Sequence, residues 1–175
     1  RVYSKNFDKS LQYSLSSSSQ VSYLWEKYIV GLLSVVRDDF EISFGFNMLI
    51  YGNVPIGSGV SSSGALEVAA LGSIKELYNL SISNTKFLEI CNSVDNKFIG
   101  VESGMLDQYV SLLSKEDGPM LIDFSKSQHQ MVNCSLKRGE FILINSMKDR
   151  ALVQSEYNIR VSQCKEGLNL INTKL

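Results

Sequence analysis

The sequence is sparing in residues that announce many chemistries. It has three cysteines, Cys91, Cys134 and Cys164, odd in number, far apart and with no histidine near them. Such spacing supplies neither a disulfide framework nor a zinc set. Buried reduced thiols are the expectation, and they suit a cytoplasmic protein. No apolar run approaches the roughly 20 residues that a membrane-spanning helix needs. The first residues also lack the charged-then-apolar pattern of a secretory leader. Neither sign of charge dominates, 17 basic residues standing against 18 acidic ones for a formal net charge of -1. With no basic stripe, the electrostatic footprint that nucleic acid or an anionic membrane requires is missing, and small-molecule partners are favoured.

What remains is a chain of 175 residues with 44% hydrophobic content, enough for one domain with a real core or one lobe of a larger protein. It opens in the extended segment "RVYSKNF" and closes in the helical pattern "GLNLINTKL", so it is expected to be part of a larger protein. Alternation in "LQYSLS" reads as a strand, and Ser16 to Ser19 as a polar turn. From about Ser22 to Arg37, Leu24, Tyr28, Leu32 and Val35 recur at helical spacing. The stretch "FEISFGFNMLIYG" turns from alternating to continuously apolar, as a central strand would. A helix is expected from about Ser62 to Tyr78, a second after the cap signal "SISN", and a third from near Gly104. "PMLIDFS", "HQMVNCSL" and "EFILINS" read as three short strands, and "SEYNIRVSQCKEGLNLI" as a closing amphipathic helix. The class is α+β, with no internal repeat.

One stretch asks for a function. In "VPIGSGVSSSGALEVAAL", Val54 to Leu71, an apolar run passes through glycines and serines directly into good helix formers. The first turn of a helix offers unpaired N–H groups and the positive end of the dipole, which suits an anion. The residue after Gly64 is Ala65, so the lysine of a Walker loop is missing. No serine has glycine two residues away on both sides, which excludes the serine-hydrolase elbow. Ser62 stands where the dinucleotide fingerprint needs its third glycine. The surviving pattern, P-x-G-x-G-x-S-S-S, suits a polyphosphate. Pro55 fixes the entry, Gly57 and Gly59 let backbone approach phosphate oxygens, Ser61 and Ser62 can donate, and Ser63 can complete a magnesium shell. A serine-capped helix after a glycine turn is the plainer alternative.

Three ordered stretches resemble the sugar kinases of the GHMP superfamily, within it most closely the galactokinase family. "VPIGSGVSSSGALEVA" is similar to that family's P-x-G-x-G-L-S-S-S-A-x-L-E-V-A segment. "GVESGMLDQYVSLL", Gly100 to Leu113, is similar to its G-x-x-C-G-x-M-D-Q-x-x-S-L-L stretch. "NSMKDRALVQSEYNIRVSQC", Asn145 to Cys164, is similar to its N-S-x-x-x-H-x-L-x-x-S-x-Y-x-x-R-x-x-x-C stretch. "YLWEKYIVGLL" resembles the family's W-x-x-Y-x-x-G-V helix, so the likeness runs through nearly the whole chain.

The resemblance implies the nucleotide-binding lobe of such a kinase, like the second domain of ribosomal protein S5, with a mixed sheet packed against helices. Residues 1–175 would be an N-terminal ATP-binding domain incomplete at its N-terminus, with a helix over about 155–175 leading towards a C-terminal lobe. It implies ATP with Mg²⁺ and transfer of the γ-phosphoryl group to the anomeric hydroxyl of galactose. Asp107 would face the sugar hydroxyl as base or orienting group. Pro55, Gly57, Ser58, Gly59, Val60, Ser61, Ser62 and Ser63 would form the phosphate loop, and Trp25 and Tyr28 would flank the adenine. Ser63 and Asp95 would hold the metal, Asp95 standing where the family carries glutamate. Gly104 and Tyr157 would join Asp107 at the sugar.

Departures from the family pattern are Val60 and Gly64 in the loop, Ser103 for a cysteine, and Arg150 where histidine is common. The family's opening segment, with an arginine that meets the transferring phosphate and residues that grip the sugar, has no counterpart here, nor has the glycine-rich segment of the second lobe. This chain alone is expected to be inactive or weakly active, completed by those segments. A non-catalytic binder of ATP and sugar, or a GHMP kinase for a related sugar, are the other readings. His129 is expected on the surface of a strand.

Overall fold

The computed structural model describes residues 1–14, 21–116, 118–134, 139–147 and 157–173. Ser16 to Ser19 and Arg150 lie outside these residues. The chain begins with two short strands, β1 (Val2–Ser4) and β2 (Lys9–Leu11), paired antiparallel. The helix α1 (Leu24–Asp39) follows. Its start is held by Glu26, whose carboxylate accepts hydrogen bonds from the N–H groups of Ser22 at 2.9 Å and Tyr23 at 3.1 Å, which explains a carboxylate at a buried position. The strand β3 (Met48–Ile50) then pairs parallel with β1, giving a three-stranded mixed sheet in the order β2-β1-β3.

β3 is therefore an edge among the described strands, not the central strand the apolar run suggested. Leu49 is 68% exposed. The glycine-serine loop follows and ends in α2 (Ser62–Leu77), then α3 (Asn84–Val94), capped by Ser83, whose hydroxyl accepts from the N–H of Lys86. At Asp95–Ile99 the helix widens into a single π turn, where the Asp95 carbonyl accepts from the N–H groups of Gly100 at 2.9 Å and Val101 at 3.1 Å. The helix α4 (Leu106–Leu113) comes next, then a hairpin of β4 (Met120–Asp123) and β5 (Gln128–Met131). The last element is α5 (Tyr157–Asn172).

The core lies where α1 is covered by α2 and α3. Ile29, Leu32 and Val36 of α1 meet Leu71 and Ile74 of α2 and Ile90, Cys91 and Val94 of α3, all of them buried. α1 and α3 have the apolar stripes their spacing predicted. Three expectations need correction. "EFILINS" forms no strand: Phe141 to Ile144 are 78–88% exposed, because a strand needs a hydrogen-bonded neighbour and none of the described residues supplies it. Cys91 is buried as expected, but Cys134 and Cys164 are exposed. α5 is a helix but buries no residue. Asn158 and Lys165 tie α5 to the segment before α4: Asn158 accepts from the N–H of Glu102 at 3.0 Å and donates to the carbonyl of Gly100 at 2.8 Å. Lys165 pairs with Glu102. No helix among the described residues is long and apolar enough to cross a membrane.

Candidate active site

The glycine-serine loop has the backbone its composition requires. Gly57 and Gly59 adopt φ of 74° and 79°, the left-handed region that glycine enters without strain. Ser61 joins them at φ 61°, although it carries a Cβ. The three alternating left-handed residues curl the chain into the start of α2. Ser61 caps nothing: its side chain accepts no hydrogen bond from the helix, and its hydroxyl is buried without a partner. A plain serine cap would have used that oxygen. The Ser58 hydroxyl is engaged within the loop, donating to the Pro55 carbonyl at 2.7 Å.

Beside the loop lies a cavity of about 340 Å³, lined mainly by apolar groups. Trp25 and Tyr28 of α1, Ser62 and Ser63 at the head of α2, and Phe7 and Ile56 are among its walls. Phe7 stacks parallel to Trp25, their planes 9° apart and centroids 6.3 Å apart. Two aromatic residues chosen from the sequence thus share one recess with two of the serines. The indole N–H of Trp25 is buried without a partner.

Tyr28 does more than line this recess. Burial raises its phenol pKa first of all, the charge of Asp95 and to a smaller degree that of Glu67 add to this, and the Ser63 hydroxyl, as hydrogen-bond partner, works the other way. One phenol therefore feels Ser63 and Asp95 together, which brings the two expected metal ligands to the same neighbourhood.

Asp107 stands in the first turn of α4 and is exposed. It lies against the loop's helix: a Cβ built on Gly64 would fall 3.1 Å from Asp107 Cβ and 2.7 Å from the Ser61 hydroxyl oxygen. Such distances are tighter than carbon normally tolerates, so the glycine allows the approach.

The next residue, Gln108, was not singled out from sequence and proves central. It is buried, and its amide nitrogen donates to Glu67 Oε2 at 2.7 Å and to Asp95 Oδ2 at 2.9 Å. Ser103 also donates to Asp95 Oδ2, at 2.6 Å. Glu67 is fully buried in α2, and burial, reinforced by the charge of Asp95, pushes its pKa up to about 8. The Gln108 hydrogen bond opposes this, and the charge of Asp107 adds a little. Asp95 is raised as well, burial outweighing the hydrogen bonds from Ser103 and Gln108. Its side chain is buried at the first residue of the π turn, so it is not a solvated helix-end charge. The one local signal for Glu67 was a charge flanked by Leu66, Val68, Ala69 and Ala70.

The donor set suits a hard cation that brings phosphates with it. Mg²⁺ takes one or two carboxylates and keeps other oxygens as ligands, so a serine hydroxyl and one carboxylate suffice beside a triphosphate. Among the described residues there is no cluster of three or more His, Cys, Asp or Glu placed to cage a metal.

Gly104 is exposed in the segment before α4, and Tyr157 opens α5 next to Asn158, which grips that segment. The two sit on elements in contact. Pro55, Gly57, Gly59 and Val60 form the exposed turn over which the chain enters α2.

The family described as GHMP kinases N terminal domain matches residues 27–115. A galactokinase of Fusobacterium nucleatum is 31% identical over 176 residues, 98% of this chain and 45% of the relative. A galactokinase of Lactococcus lactis subsp. cremoris is 31% identical over 179 residues, 100% of this chain and 45% of the relative. The crystal structure of Lactococcus lactis galactokinase complexed with galactose superposes with a TM-score of 0.91 at 30% identity, over 99% of this chain and 46% of that one. The chain thus spans less than half the length of these relatives.

Proposed function

The chain belongs to the GHMP kinase family, and from that premise we propose that it is the N-terminal, ATP-binding part of a galactokinase, which transfers the γ-phosphoryl group of Mg·ATP to the anomeric hydroxyl of galactose. The observation that carries this reading is the contact between the head of α2 and Asp107, with Gly64 as the gap that permits it. A triphosphate on the loop and a hydroxyl held by Asp107 would meet there.

The adenine occupies the cavity between Trp25, Tyr28 and the serines, where flat apolar walls exclude water from its faces. The phosphate tail runs to the loop, whose N–H groups and α2 dipole stabilise its charge. Ser61, with its unpartnered hydroxyl, and Ser62 donate to it. Ser63 and Asp95 would hold Mg²⁺, which when bound screens the charge on the β- and γ-phosphate oxygens. Asp107 accepts the hydrogen bond of the sugar hydroxyl and aims its oxygen along the line of attack. Phosphoryl transfer has a loose transition state, so this aiming contributes at least as much as proton removal. Gly104 and Tyr157 complete the sugar side.

The test is phosphorylation of galactose by the full-length protein and its Asp107→Asn variant. The expected loss is at least about a hundredfold in kcat, in the range general-base and orienting groups supply, with ATP affinity by calorimetry within about threefold of the parent. A variant that phosphorylates galactose within a few-fold of the parent refutes the assignment of Asp107. ATP and galactose binding by the parent without turnover would instead mark a non-catalytic binder, and turnover of another sugar alone a different GHMP kinase.

A further inference from the structure

Gln108 sits where three elements of the site converge. One amide nitrogen, with two hydrogens to give, serves Glu67 on α2 and Asp95 on the π turn, while Gln108 itself belongs to α4 beside Asp107. Ser103 adds a hydroxyl to the same carboxylate of Asp95. Both donors end on one oxygen, Oδ2, at 2.9 and 2.6 Å, and Oδ1 accepts from none of the described residues. Two charge-assisted hydrogen bonds on one oxygen fix the plane of a carboxylate and use the lone pairs of that oxygen.

We propose that Gln108 and Ser103 are positioning residues that turn Asp95 so that Oδ1, the oxygen they leave free, faces the magnesium of the bound nucleotide. This rests on Asp95 being a metal ligand, as above. The side chain is short and anchored in a π turn, so the direction of its carboxylate decides whether it reaches the metal directly. The same amide links that direction to α2, through Glu67, and so to the helix whose first turn carries Ser63.

The experiment uses the full-length protein, a non-hydrolysable ATP analogue and Mn²⁺ as probe, its binding followed by electron paramagnetic resonance. Ser103→Ala and Gln108→Leu are expected to weaken Mn²⁺ by about tenfold each, as loss of outer-shell partners does. Ser103→Thr, which keeps the hydroxyl, is expected to restore binding. Affinity for the analogue without metal should stay within about twofold. Gln108 is buried and its loss bares two carboxylates, so if that variant does not fold, the half-buried Ser103 pair carries the test. The proposal is overturned if Asp95→Asn weakens Mn²⁺ while Ser103→Ala leaves it within about twofold of the parent. If Asp95→Asn itself leaves Mn²⁺ binding unchanged, the ligand assignment fails and takes the proposal with it.

Discussion

Replacing Glu67 by glutamine should stabilise the protein, and do so more strongly at high pH. Glu67 is fully buried, with a pKa raised from 4.5 to about 8. A carboxyl whose folded pKa lies above its unfolded value binds more protons in the native state, so stability falls as pH rises between the two. Below about 4.5 the group costs nothing, and above about 8 the full penalty applies. At about 1.4 kcal/mol for each tenfold change, the gap between 4.5 and about 8 sets a ceiling of about 5 kcal/mol. Relaxation and water entry reduce this, and a difference of about 2–3 kcal/mol between pH 5 and pH 9 is the expected reading. Glu67→Gln removes the titration while keeping an oxygen for the Gln108 amide. The introduced amide nitrogen takes the place of Glu67 Oε1, an oxygen that is buried without a partner and so loses no hydrogen bond. The assay is urea denaturation of parent and variant at half-unit steps across this range, without metal or nucleotide. The difference in midpoint should grow steadily with pH. Parallel profiles, or a variant less stable at pH 9 than the parent, would refute the account of Glu67 as a buried acid held against its charge.

Two further outcomes are expected. Trp25→Leu should weaken ATP about 5- to 150-fold, corresponding to the ~1–3 kcal/mol of base-aromatic stacking, with galactose affinity unchanged; calorimetry with each ligand checks it, and equal ATP affinity would remove the base from that cavity. Ser61→Gly should raise stability by about 1 kcal/mol, since it relieves a left-handed residue at φ 61° and deletes a buried hydroxyl without a partner; chemical denaturation reads this, and a net loss of stability would show the strain to be illusory.

Much of the helical framework was legible because burial there follows local spacing. Ile29, Leu32 and Val36 repeat on one face of α1, as do Phe87, Ile90, Cys91 and Val94 on α3, and the structure buries those faces. Strands fared worse for a physical reason. The run Met48 to Tyr51 reads the same whether a sheet covers both edges or one, and "EFILINS" has strand composition without a described neighbour to pair with. In the candidate site, Asp107 and the serine loop were visible as local motifs, whereas the residues packed behind them were not. Gln108 lies 41 residues from Glu67 and 13 from Asp95, and no spacing along the chain announces a contact made across three elements. The exposed Cys134 and Cys164 show the same limit, since nothing local to a cysteine states which face of the molecule it will occupy.

The widened turn at Asp95–Ile99 sets a phase as well as a shape. A helix advances roughly 100° for each residue, and a π turn absorbs one residue more than an ordinary turn. The body from Gly100 onward, including Ser103, Gly104 and Asp107, is therefore clocked against α3 by a count of backbone units. Losing a single codon within those five positions would turn that body by about 100°, a little over a quarter of a revolution, relative to the residues before it, with each of these side chains still in place. Exchange of residues in the turn is thus tolerated far more readily than a change in its length.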